Sequence, residues 1–182
     1  DYLFWASNLF HLGIIFLFFG HFFGLLTPKG VYSYFITPEK KQIVAMYSGG
    51  VAGLFCLVGL VMLLYRRFID SRVRSLSNIS DVLILFLLLI QLLLGLFTTF
   101  VTCSHLDNSN SMIALANWAQ GVIVFSPNLS EFIVSEHYLF KLHLFFGMTL
   151  FLVFPFTRLV HIFSFPYLYI LREGFLIVRK LK

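Results

Sequence analysis

Charge is scarce in this chain: Asp, Glu, Lys and Arg together make up 12% of 182 residues, while 59% are hydrophobic. A soluble domain of this length needs far more charge to cover its surface, so a water-soluble globule is excluded and an integral membrane protein is indicated. Cysteine is nearly missing as well. With only Cys56, inside an apolar run, and Cys103, at the end of another, no disulfide framework or thiolate metal site is available. Lysine and arginine are absent from the whole stretch between Ser104 and His137. The first ten residues, DYLFWASNLF, lack the basic region and small-residue cleavage site of a signal peptide, so the first apolar run is expected to stay in the protein.

What is present is long apolar sequence, with a mean hydropathy of +0.92 and 24 phenylalanines. Four runs, about 2–26, 43–65, 79–101 and 138–163, exceed the roughly 20 residues that cross a bilayer. They predict one all-α domain over residues 1–182, an antiparallel transmembrane helix bundle with an outer segment at 104–137 and a tail at 164–182. A pI near 9.4 would suggest nucleic acid, but the basic residues flank apolar runs and so report topology; no nucleic-acid partner is expected. Arg66, Arg67, Arg72 and Arg74 fall on the same side as Arg172, Arg179, Lys180 and Lys182, which the positive-inside rule makes cytoplasmic. Lys29, Glu39, Lys40, Lys41 and the segment 104–137 then face outward. Within that segment Met112–Phe125, with Trp118, is too short to cross and reads as an interfacial or re-entrant helix.

Two of the spans each carry two histidines, His11 and His21 in the first and His143 and His161 in the fourth. An imidazole in hydrocarbon needs compensation, and two neutral imidazoles from facing helices are the ligand set of one six-coordinate haem iron. The pattern therefore points to two bis-histidine haems; the competing readings are interhelical hydrogen bonding and a proton path. If the spans alternate, His11 and His161 share one depth, and His21 and His143 the other. The rises do not match: ten residues of helix cover about 15 Å and eighteen about 27 Å. Eighteen residues put His143 and His161 on one helical face, whereas ten leave His11 and His21 about 80° apart. Pro155, between His143 and His161, is expected to kink the fourth helix and help reconcile the two.

Gly24, three residues after His21, and Gly147, four after His143, give room for a porphyrin or for helix packing, as Gly13 and Gly20 do. Gly49 and Gly53 read as a packing pair. Arg158 shares a helical face with His161 and suits a haem propionate or, equally, a lipid headgroup; Arg66 and Arg67 are further propionate candidates. Asp81 reads as a cap-like residue, Gln91 as a contact between helices, and His105 and His137 as solvated or quinone-site residues.

The blocks ASNLFHLG and GHFFGLLTP in the first span, KQIVAMYSGG entering the second, WAQ in the outer segment and KLHLFFGMTLFLVFPFTRLVHIFS in the fourth resemble the gamma subunit of membrane-bound respiratory nitrate reductase, a dihaem cytochrome b, over nearly the whole chain. The resemblance implies two haem b groups. His11 and His161 would hold the one nearer a cytoplasmic iron-sulfur beta subunit, and His21 and His143 the outer one. It also implies a quinol site beside the outer haem, with menaquinol or ubiquinol as substrate and Lys41 at the family's lysine position. Independently, Lys41 sits where a cation at the outer membrane edge can hydrogen-bond a quinone carbonyl, with an interfacial anchor as the plain alternative and Lys40 as its rival. Nitrate would be reduced elsewhere, in a molybdenum-containing alpha subunit, and the setting would be a prokaryotic cytoplasmic (inner) membrane whose lipid surrounds a multi-pass chain. Family members usually carry one more helix ahead of the first span, so either the homologue is shortened or a segment precedes this sequence. A related quinol-oxidising cytochrome b of a sulfite-reduction-linked or heterodisulfide reductase complex is the alternative within electron transfer. A haem-free membrane anchor or a proton-relay transporter is the alternative outside it.

Overall fold

The computed structural model describes residues 2–103 and 109–164, and every regular element among them is helical. In chain order these are α1 (Tyr2–Leu26), α2 (Lys29–Tyr32), α3 (Pro38–Ile69), α4 (Ser71–Ser75), α5 (Ile79–Cys103), α6 (Asn110–Ile123), α7 (Glu131–Val134) and α8 (Tyr138–Val153), followed by two 3-10 segments, Phe154–Phe156 and Arg158–Ser164. α1, α3, α5 and the stretch Tyr138–Phe156 are each long and apolar enough to cross a membrane. The chain is thus an all-α, multi-pass membrane bundle.

Local chemistry explains why α3 outruns its apolar core at both ends. α3 starts five residues before its hydropathy does because Thr37 caps it, accepting from the Lys40 N–H at 3.4 Å, with Pro38 in the first turn and Glu39 against the positive end of the helix. At its far end Asp70 acts twice. Its N–H donates to Arg66 O at 2.9 Å, and its carboxylate accepts from the Arg72 N–H at 3.0 Å to start α4.

The fourth span departs from the sequence reading. A continuous helix over 138–163 was expected with a kink at Pro155; the α-helix instead stops at Val153, and Thr157 is fully extended at φ −121°, ψ 169°. Pro155 has no N–H for the helical ladder and its ring crowds the preceding turn, so the chain tightens into 3-10 turns. The 27 Å rise and the shared face of His143 and His161 therefore do not apply.

α1 packs on α3, α3 on α5, and α5 on α8, each pair antiparallel. Tyr2 at the start of α1 donates its hydroxyl to Met62 O near the end of α3, at 3.1 Å. With lipid outside, helices associate through close packing of small residues rather than by escape from water. Gly59 and Gly13 provide this on α3 and α1: a Cβ on Gly59 would collide with the Phe10 and Ala6 backbone, and one on Gly13 with Cys56. Cys56 and Leu60 are fully buried there. Gly53 plays the same part against Leu96 of α5, whereas a Cβ on Gly49 would meet nothing within 4 Å.

At the end opposite the arginine-rich loop, α6 lies across the tips of α1 and α3. Ser109 donates to Glu39 Oε1 at 3.3 Å, and the Gln120 amide donates to Leu25 O at 2.8 Å and Thr27 O at 3.4 Å. Those carbonyls are helix-end acceptors that lack an intrahelical donor, so Gln120 serves as a cap supplied from a distant part of the chain. His105, Arg172, Arg179, Lys180 and Lys182 lie outside the described residues.

Candidate functional site

α1 and the fourth span complete the row of helices, and they meet through imidazoles. The ring centroids of His11 and His161 are 6.4 Å apart with planes at 80°, and those of His21 and His143 are 6.1 Å apart at 39°. The structure therefore brings together the same pairs that depth suggests. Two imidazoles on opposite sides of one metal ion, each bonded at about 2 Å, place their ring centres about 6 Å apart. Both separations match that figure. The imidazoles form two couples, and among the described residues no group of three or more His, Cys, Asp or Glu side chains that could hold a metal ion is found. A pair is what an iron already held by four porphyrin nitrogens requires.

Three of the rings are aimed by their own backbone. His11 Nδ1 donates to Ser7 O at 2.7 Å and His21 Nδ1 to Leu17 O at 2.7 Å, each one α-helical turn back. His161 Nδ1 donates to Arg158 O at 2.6 Å, three residues back, as the tighter 3-10 turn demands. A carbonyl can only accept, so the proton sits on Nδ1 and the lone pair on Nε2 is free for a metal. His143 is held otherwise. The Gln91 amide lies 3.4 Å from its Nε2, a weak contact, and its Nδ1 is buried with no hydrogen-bond partner among the described residues. The ring rests over Gly95, where a Cβ would stand 3.1 Å from Cε1.

Of the two glycines singled out beside the histidines, Gly24 faces open space, with nothing within 4 Å of an added Cβ, and so does Gly20. Gly147 turns to α5, where a Cβ would come 3.2 Å from Gln91 Nε2. Its missing side chain serves the approach of α8 to α5. Arg158 pairs with Asp81, Nε to Oδ1 at 3.0 Å, and Arg67 reaches the same carboxylate at 3.7 Å, while Arg66 lies 3.7 Å from Asp70.

Lys41 and Lys40 part company at the α6 end. Lys41 Nζ sits 3.8 Å over the Tyr32 ring and is buried without a hydrogen-bond acceptor among the described residues; Lys40 is exposed. Such a cation–π contact offsets only part of the desolvation of an ammonium group, which carries three N–H donors. His137 is the N-cap of α8, its Nδ1 accepting from the Leu139 N–H at 3.3 Å. Sequence alone does not single out Tyr32, Gly95 or Gln120 as site residues. Tyr32 closes the four-residue α2, too short for any periodicity to flag it, and Gly95 and Gln120 acquire a role only through residues about 50 and 95 positions away.

The chain matches the family described as nitrate reductase gamma subunit over residues 1–181. It is 48% identical to the respiratory nitrate reductase 1 gamma chain of Escherichia coli (strain K12), over 92% of this chain and 74% of that one. It is 37% identical to the nitrate reductase gamma chain of Bacillus subtilis (strain 168), over 96% of this chain and 78% of that one. A more distant likeness, 32% over 61% of this chain and 31% of the other, is to an Hdr-like menaquinol oxidoreductase cytochrome b-like subunit of Archaeoglobus profundus.

Proposed function

We propose, since the chain belongs to the nitrate reductase gamma subunit family, that it draws electrons from a membrane quinol at the Lys41 end and delivers them to an iron-sulfur beta subunit at the arginine-rich end. A molybdenum-containing alpha subunit then reduces nitrate. The observation that carries this reading is the pair of imidazole couples, 6.4 and 6.1 Å between centroids, stacked at two depths between α1 and the fourth span. When bound, two haem b groups would supply one-electron relays, one held by His11 and His161 and the other by His21 and His143.

The protein's own share is orientation and charge. His11, His21 and His161 are held by their Nδ1–H bonds, which fix the direction of each ring and leave Nε2 as the donor atom. His143 gains in a metal the partner its buried ring lacks. Gly24 leaves the wall beside His21 open for a flat macrocycle. Lys41, with donors unspent, hydrogen-bonds a quinol oxygen and favours its deprotonated form. Oxidation breaks two O–H bonds of the quinol, and both protons leave on the outer side while two electrons travel inward. The reaction thereby separates charge across a prokaryotic cytoplasmic membrane.

The substrate is menaquinol or ubiquinol, and the menaquinol in the name of the Archaeoglobus relative supports a quinol in either case. A reduced-minus-oxidised optical spectrum of the purified complex tests the reading. Two b-type haems per chain are expected. A haem-free protein would overturn the proposal and leave a membrane anchor or a proton relay in its place.

A further inference from the structure

Asp81 is 5% exposed near the start of α5, in a span where an uncompensated carboxylate is costly. It is compensated from three directions. Its Oδ2 accepts from the Asn78 N–H at 3.1 Å, closing the first turn of its own helix. Arg158 Nε reaches Oδ1 at 3.0 Å, and Arg67 Nη1 stands 3.7 Å from Oδ2. One carboxylate therefore joins α3, α5 and the 3-10 segment that carries His161.

That segment needs such a tie. Past the extended Thr157 no α-helical ladder transmits the direction of α8, so the position of His161 depends on what fastens Arg158–Ser164 to the bundle. Arg158 sits three residues before His161, and its carbonyl is the acceptor that orients the His161 ring. The same residue thus holds Asp81 with its side chain and His161 with its backbone. The charges do not balance: two guanidinium groups face one carboxylate, and among the described residues Arg67 Nη1 is buried without a hydrogen bond. The cluster retains one positive charge, complementary to a carboxylate.

We propose that Asp81 is the positioning residue of the inner haem: through Arg158 it fixes the segment bearing His161, and with Arg67 it forms a charge cluster that receives one haem propionate. The inference rests on the dihaem reading above. Arg158 faces Asp81 through Nε at 3.0 Å, and a guanidinium has five N–H donors, so one side chain serves both carboxylates.

The test is an optical redox titration of the assembled complex in membranes, with the inner signal identified in a His21→Ala background. Asp81→Asn removes a negative charge and favours the reduced iron; Arg158→Gln removes a positive one and favours the oxidised iron. Opposite shifts of the inner haem are expected, each changing its reduced-to-oxidised ratio about tenfold at fixed potential, or about 59 mV for one electron. The outer haem should be unmoved, and Asp81→Glu should restore a near-native inner potential. Selective loss of the inner haem in Asp81→Asn also supports the proposal. Unmoved potentials, equal shifts of both haems, or same-sign shifts in the two variants would overturn it. Should Asp81→Asn fail to assemble, Arg158→Gln, at a side chain 65% exposed, decides alone: an unmoved inner potential overturns the inference. A native complex without two haems overturns the functional reading instead, before any variant is compared.

Discussion

Gln91 brings its amide to 3.4 Å from His143 Nε2, and Gly95, one turn further along α5, clears the space under the same ring. The imidazole with no carbonyl partner is thus shaped by a neighbouring helix. A side chain at 95 has nowhere to go but into it, since even a Cβ would stand 3.1 Å from Cε1. Gly95→Val is expected to displace His143 and lower haem content from two per chain to one, with the inner signal retained. Haem assay per purified chain reads this; a full complement would mean that the ring adapts.

The pairing by depth makes a sharper prediction. His21→Ala and His143→Ala should each remove the same haem, and His11→Ala and His161→Ala the other, because each couple shares one ring-to-ring gap. Potentiometric spectra of the four variants check it. Crossed losses, with His21→Ala sparing the signal that His143→Ala removes, would contradict the arrangement.

For Lys41, replacement by Ala is expected to slow quinol oxidation about tenfold or more, equivalent to roughly 1.4 kcal/mol of transition-state stabilisation, with both haems in place. Tyr32→Phe keeps the ring under the ammonium and should change little, while Tyr32→Leu removes a cation–π contact of about 0.5–2 kcal/mol. Steady-state rates with a quinol analogue distinguish them, and wild-type rates in Lys41→Ala would reduce the residue to an anchor.

Gln120→Leu cuts the link between α6 and the end of α1. A hydrogen bond of this kind contributes about 1 kcal/mol, so opening of α6 should become about fivefold more frequent. Hydrogen exchange at the amides of Asn110–Ile123 measures it. Unchanged exchange would show that other contacts suffice.

Gly59→Leu drives a side chain into the Phe10 and Ala6 backbone. Overpacking of this sort costs about 1–3 kcal/mol, which should appear as a lower temperature of aggregation in detergent. Gly49→Ala, with open space at its Cβ, is the matched control and should behave as wild type.

How much of this was legible beforehand follows from the range of each interaction. α1 and the middle of α3 and α5 were readable because a bilayer imposes length and polarity on a continuous stretch. The partnership of His11 with His161 was readable too, since alternating spans fix depth without any knowledge of packing. The end of α8 was not. Pro155 announced a disturbance, but whether a helix kinks or stops depends on whether the next residues can return to the ladder, and Thr157 does not. Arg158 shows the same limit. Its position suggested an anionic partner, whereas the carboxylate it meets belongs to Asp81, 77 positions earlier in the sequence and on another helix.

The extended Thr157 also separates the two arms of the bundle in their tolerance of length changes. One residue inserted between His11 and His21 would swing an imidazole about 100° around an unbroken helix and away from its partner. Between His143 and His161 the chain has a joint, where an added or lost residue is taken up by the turn without rotating either ring. Homologous sequences should therefore keep a ten-residue interval in the first arm and vary in the second.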